Sequence, residues 1–316
     1  MRVDGSTGVT AGEPEGFPFG PVVRLGEEIG DAVQDGIDRV KQWFHGRPPP
    51  DPADTQVPFP GTPETYLRGA GDAGDIDYND VRQWHLGDCF FEASVAAVAR
   101  QDPERIRGLI REERDGSGRV TSYVVTLHQR DWANRPQPVE VRVAPRQFSQ
   151  EGARPGDDVG GRKEIWPMLL EKAFAQLSGG YGHITNGGSA ERALEALTGV
   201  DARTARPSNY QFAQLQADLA AGRAVTATTP KHDESGAVKA AQLYNWHCYA
   251  VTDTKVEGGR QLVRLYNPWG DHQPGDHKDG WIDFDQFRKA FAEVEVGGVM
   301  KRTAALIPAR SLVVAA

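Results

Sequence analysis

The chain has 316 residues, of which 39% are hydrophobic and 25% charged, and a net charge of −8. That length is ample for a buried core, as one large domain or two smaller ones. The acidic balance argues against a nucleic-acid or anionic-membrane binder, no apolar run approaches transmembrane length, and two cysteines, Cys89 and Cys248, exclude a disulfide scaffold.

Residues 1–21 are rich in Gly, Pro and acidic side chains, the composition of a disordered segment. No basic stretch leads into an apolar one there, so the expected location is the cytoplasm, with export by a non-classical route left open. Leu25, Ile29, Val33, Ile37, Val40 and Phe44 recur at helical spacing. Gly26, Gly30 and Gly36 weaken that helix by roughly 1 kcal/mol each, so it needs a surface to pack on. It either decorates the core, forms a detachable pro-segment or docks a regulatory partner. Prolines from Pro48 to Pro63 read as a stiff linker. The expected organisation is a segment 1–64, a first subdomain 65–199 and a second subdomain 200–316.

Within the first subdomain the sequence predicts a helix opening at Cys89 and a helical stretch Ile106–Arg111. Strands are predicted at 120–127 and 139–143, and helices at Glu164–Gln176 and Ala190–Leu197. A helix over Tyr210–Ala221, capped by Ser208 or Asn209, opens the second half. Strands follow at Ala224–Thr228, His247–Thr252, Gln261–Tyr266 and Ala304–Ile307, interrupted by a helix at Asp285–Phe291. The fold class is therefore α+β, with a helical half, a strand-rich half and a cleft between them.

The chemistry concentrates in three places. Gln83 precedes Cys89 by six residues, and Cys89 starts an alanine-rich helix whose N-terminus favours thiolate over thiol. The Gln83 amide can donate to an oxyanion forming beside that sulfur. His247 begins one downstream strand and Asn267 follows the next. A thiol needs a base, and the base a group that fixes its tautomer. Cysteine early, then histidine, then asparagine is the order of the papain-like layout. Cys248 follows His247 on a strand, faces the other way and reads as a small core residue.

These blocks resemble the protease core of the calpains. Gln83 to Val98 is close to the calpain Q-G-x-x-G-D-C-W block. Glu164-Ile165-Trp166 through Ala175, with Gly187-Gly188-Ser189 and Leu197-Thr198-Gly199, forms a second block, and His247 through Gly270 a third. The resemblance covers about residues 66–305 and implies a papain-like two-subdomain fold. It implies peptide-bond hydrolysis through an acyl-enzyme, with Cys89 as nucleophile, His247 as base, Asn267 as orienter and Gln83 as oxyanion donor. Protein or peptide substrates follow, with no nucleic acid and no membrane as partners.

The same resemblance implies substrate contacts at Gly188 and at the carbonyl of Trp246. Trp269 shields the His–Asn hydrogen bond or simply packs in the core. Trp84 and Trp246 stand where the family has glycine, and Phe90 where it has tryptophan, so the cleft near the scissile bond differs in shape. A calcium ion in the cysteine half is implied at Asp80 and Glu164, with backbone carbonyls near Asp72–Asp75. In the loop 271–279 only Asp279 matches a ligand position of a second site, and that loop reads first as a solvated polar loop. Two other readings keep the same residues: an acyl transferase or deamidase with this triad, and a catalytically silent peptide-binding module.

Overall fold

The computed structural model describes residues 56–59, 61–70, 72–148, 152–270, 273–275 and 279–299. The expected helix at Leu25–Phe44, most of the proline-rich linker and the strand expected at Ala304–Ile307 lie outside them. Among the described residues no helix is long and apolar enough to cross a membrane.

The described part opens with two short strands, β1 (Gln56–Val57) and β2 (Thr62–Glu64). Helix α1 (Cys89–Gln101) follows, then α2 (Pro103–Leu109), with Pro103 at its first position and the Asp102 carboxylate accepting from the Arg105 N–H. The helix expected over Ile106–Arg111 stops at Leu109. β-branched Ile110 instead starts β3 (Ile110–Arg114), which pairs antiparallel with β4 (Val120–Arg130), and β4 with β5 (Pro136–Val143). Cross-strand pairing overrides the local helical pattern here.

β6 (Gln147–Phe148) pairs with β1, and β7 (Asp158–Val159) with β8 (Arg162–Glu164). β8 also runs parallel to β2, Thr62 opposite Arg162 and Glu64 opposite Glu164. Glu164 thus ends a strand, and helix α3 (Trp166–Leu177) begins two residues later than expected because Ile165 is not helical. Helix α4 (Ala190–Thr198) is capped by Ser189, whose hydroxyl accepts from the Arg192 N–H.

The second half is built on a six-stranded antiparallel sheet. Its strands are β9 (Arg203–Ala205), β10 (Val225–Thr228), β11 (Cys248–Glu257), β12 (Arg260–Tyr266), β13 (Trp281–Asp283) and β14 (Glu293–Val296). Their order is β13-β12-β11-β10-β14-β9. Helices α5 (Phe212–Ala220), α6 (Ala237–Ala240) and α7 (Phe284–Ala290) accompany it. α5 begins after Gln211, without the side-chain cap expected from Ser208 or Asn209, because Pro207–Asn209 forms its own 3-10 turn.

Two hydrophobic cores result. One gathers α1, α3, α4 and β4; the other gathers Tyr210, Phe212, Val225, Tyr249, Val263, Phe287 and neighbours around the sheet. α1 is buried along almost its whole length, as its nearly uninterrupted apolar sequence requires. It packs against β10 and β11, so the first turn of the cysteine helix meets the start of the histidine strand. Cys248 lies in the first core, 1% exposed, and both cysteines are free.

Candidate active site

The sheet brings His247 and Asn267 together. Ala250 on β11 faces Tyr266 on β12, so that antiparallel register, continued, sets Asn267 diagonal to His247. His247 Nε2 and Asn267 Oδ1 are 2.8 Å apart, with His247 4% and Asn267 0% exposed. Asn267 Oδ1 also accepts from the Trp269 N–H at 3.2 Å. The Trp269 ring lies 4.5 Å from the imidazole, tilted by 42°, with Tyr249 edge-on at 4.9 Å. Nε2 is thereby committed to Asn267, and Nδ1 lies outside that hydrogen bond.

Cys89 occupies the first position of α1, which packs against β11 where Cys248 begins. Among the described residues no hydrogen bond joins the sulfur to the His247 ring. Burial pushes the Cys89 thiol up to about 11, with the Asp88 carboxylate adding to the rise and the Cys248 N–H opposing it. Burial holds His247 down at about 4, with the Asn267 hydrogen bond opposing. Both shifts favour the neutral forms, thiol and imidazole. Desolvation of the half-buried sulfur thus opposes the thiolate that the helix N-terminus favours.

The Gln83 side chain turns inward. Its Nε2 donates to Leu86 O at 2.6 Å and Asp88 Oδ1 at 3.1 Å, so both amide hydrogens are engaged beside Cys89. Its backbone N–H donates to Pro268 O at 2.8 Å, tying this loop to the one that follows Asn267. Gly87 is required by close approach, since a Cβ there would sit 2.2 Å from Thr185 O. Gly188 is required in the same way, by the Phe90 ring at 2.5 Å.

The tryptophans form the rim. Trp246 is 56% and Trp84 39% exposed. Trp246 takes φ of +50°, a left-handed backbone that glycine adopts freely and a bulky residue only under strain. Its N–H donates to Pro230 O at 2.9 Å, and Lys231 Nζ lies 4.7 Å from the ring centroid. The indole reaches to within 3.8 Å of where a Cβ on Gly187 would be, so it spans from the histidine side to the Gly187–Gly188 turn. The guanidinium of Arg154 covers the Trp84 ring.

A family model described as "Calpain family cysteine protease" matches residues 71–293. The chain belongs to the calpain cysteine protease family. Its α+β architecture is accordingly papain-like. It is 27% identical to rat Calpain-13 over 248 residues, which is 73% of this chain and 34% of that protein. It is 27% identical to human Calpain-9 over 285 residues, 76% of this chain and 39% of that protein. To the chicken Calpain-2 catalytic subunit it is 26% identical over 260 residues, 71% and 36% of the two chains. The chain thus spans little more than a third of the length of these calpains.

The calpain core also brings Asp80 and Glu164 together. Gly156 sits between them: a Cβ there would lie 2.4 Å from Glu164 Oε2 and 3.1 Å from the Asp80 Cβ. Glu164 Oε1 accepts from the Leu67 N–H at 2.8 Å, and Asp80 Oδ2 accepts from the Asp77 N–H at 2.6 Å. Asp157, missed by sequence reasoning, joins Asp80, as does the side chain of Asp72, whose stretch was expected to offer backbone carbonyls. Oxygens of Asp72, Asp80 and Asp157 lie within 4.8 Å of one another. Asp157 gives no motif signal; the run Gly156-Asp157-Asp158 before Glu164 was the only hint. Burial, then the neighbouring carboxylates, pushes Asp80 to about 7 and Asp157 to about 6. Burial followed by Asp80 pushes Glu164 to about 9. Asp279 lies apart, its carbonyl accepting from the Arg264 guanidinium and its carboxylate from the Trp281 N–H.

The resting protonation state is directly testable. In calcium-free protein the alkylation rate of Cys89 by iodoacetamide should climb steadily toward about pH 11, while Cys248 stays unlabelled. A plateau already reached at about pH 5 would mean that a thiolate–imidazolium pair is present at rest.

Proposed function

We propose that the chain is a cysteine endopeptidase that cleaves protein substrates through a Cys89–His247–Asn267 triad. The observation that carries this reading is the buried His247 Nε2–Asn267 Oδ1 hydrogen bond under Trp269, beside a cysteine that opens a helix. His247 Nδ1 takes the Cys89 proton as the sulfur attacks the scissile carbonyl carbon. The tetrahedral oxyanion accepts hydrogen bonds from the Cys89 backbone N–H and from Gln83, once the Gln83 amide leaves Leu86 O and Asp88. His247 returns its proton to the leaving amine, and water then cleaves the thioester by the reverse route.

Gly188 and the Trp246 carbonyl hold the substrate strand, and the Trp84 and Trp246 rings line its rim. Mass spectrometry of a casein digest tests the reaction class. New termini are expected. A shift of about +1 Da on glutamine, or an amine cross-link, would instead mark the deamidase or transferase reading, in which the same acyl-enzyme meets another acceptor. Unmodified casein would favour the silent peptide-binding module.

A divalent cation in the cysteine half is part of the same proposal. Asp80 Oδ1 is buried without a hydrogen-bond partner; Arg82 lies 3.5 Å from Asp157, and Arg68 Nε donates to the Asp72 carbonyl at 3.1 Å. Oxygen donors crowded in this way suit calcium. Asp80 and Glu164 would hold it, with Asp157 and Asp72 beside them. Bound, it would supply positive charge that offsets carboxylate repulsion. The chain's own contribution is the loop from Asp80 to Gln83, which that neutralisation steadies and whose position sets Gln83 against Cys89.

The expected result is that chelator lowers the peptidase rate by about 5- to 150-fold, the usual range of coupling between two sites. Calcium should restore it in the native protein and not in Asp80→Ala. Full activity in excess chelator would remove calcium from the account and leave the triad in place.

A further inference from the structure

A second group of acids lies inside the first core, directly beneath the nucleophile. Asp88, Glu92 and Glu171 are 0%, 0% and 2% exposed, and one oxygen from each lies within 4.8 Å of the others. Asp88 precedes Cys89, Glu92 is one turn into α1, and Glu171 projects from the middle of α3. Nothing in the proposed mechanism uses Glu92 or Glu171. None of the described ion pairs involves any of the three.

The bonding of these side chains separates the group from an ordinary patch of acids. Glu171 is fixed by the Ala153 N–H, which lies 2.9 Å from each of its oxygens. Asp88 and Glu171 each bring an oxygen within 4.8 Å of the other and of Glu92, a crowding of buried carboxyls that calls for a proton or a cation among them. Glu92 has no partner for either oxygen, although the side chain is fully buried. Gln83 Oε1, on the amide that donates to Asp88 Oδ1, is also buried and unpartnered. An unsatisfied carboxylate inside an apolar core costs several kcal/mol, so a group that completes its bonding is called for.

We propose that Asp88, Glu92 and Glu171 form a second calcium-binding site, distinct from the Asp80–Glu164 cluster. All the donors are carboxylate oxygens, the ligand set of a hard cation, with no thiol or imidazole among them. Oxygens within 4.8 Å of one another are close enough to face one ion, and magnesium, which demands near-ideal octahedral geometry and usually keeps several waters, suits a fully buried set of carboxylates less well than calcium. Three carboxylates supply up to six oxygens, enough for calcium in a pocket closed to bulk water. The ion would join α1 to α3 under Cys89 and hold Asp88, hence the Gln83 amide, in place. The inference stands on this group alone and does not require peptidase activity.

The test counts ions, with calcium itself as the probe. Full-length protein is stripped with chelator and equilibrated at about 1 mM free calcium, above the range of sensor-type sites; bound calcium is then measured by elemental analysis. Native protein should hold two equivalents, Asp80→Asn/Glu164→Gln one, and that double variant carrying Glu92→Gln none. Glu92→Leu, which suits the apolar helix, provides the same comparison should Glu92→Gln fail to fold. If the double variant holds no calcium, or if neither Glu92 substitution lowers its count, the second site is refuted and shared protons neutralise the group. One equivalent in native protein that survives Asp80→Asn/Glu164→Gln and disappears with Glu92→Gln would sustain this site while removing the first.

Discussion

Cys89→Ala should lower peptidase activity by roughly 10⁶-fold, the scale on which removing a nucleophile acts in a triad whose members work as a unit, while the protein stays folded. Cys89 is half-buried at the first position of α1, where alanine is an excellent helix residue and leaves only a small void. Circular dichroism and the melting temperature should therefore hardly change. Cys248 cannot substitute, since it is 1% exposed and burial keeps its thiol well above the usual cysteine range. More than a trace of cleavage by Cys89→Ala would overturn the assignment of the nucleophile.

Gln83→Ala should lower kcat by about 100-fold with little change in KM, the usual cost of losing one oxyanion donor. At rest the Gln83 amide is spent on Leu86 O and Asp88 Oδ1. Removing it therefore also leaves the Leu86 carbonyl short of a donor and lowers the melting temperature. Two roles are separated by reading both quantities. A fall in stability with an unchanged kcat would make Gln83 a brace of the loop before Cys89. A fall in kcat beyond what the stability change explains places its N–H on the oxyanion.

The division of labour between chain and fold shows best at particular residues. α1 was legible because residues 89–99 are apolar but for Glu92 and Ser94, β4 and β11 because they are rich in β-branched residues, and β12 because Leu262-Val263 and Leu265-Tyr266 make a short apolar run. Of the stretch Ile106–Arg111 only the last two residues were misread, because a short apolar pattern fits helix and strand alike, and pairing with Val125 and Val124 decided Ile110 and Arg111. The Gly187-Gly188 turn and Gly87 stood out in the motifs, but the reason for their size lies in Thr185 O and the Phe90 ring.

For the candidate site, the chain alone determined which residue types are available and in what order: Gln83 and Cys89 before a helix, His247 before one strand, Asn267 after the next. These are local patterns, and local patterns are what periodicity and turn chemistry report. Only the tertiary structure decided their state. Burial raises the Cys89 thiol and lowers the His247 imidazole toward their neutral forms, and the inward turn of Gln83 depends on Asp88 and Leu86 being packed against it. The acid clusters belong to the same class. Asp157 reaches Asp80, and Glu171 reaches Asp88 and Glu92, across some eighty residues of chain. Desolvation and charge coupling depend on what surrounds a group in space, and that is set when β8 and α3 fold back onto the cysteine helix.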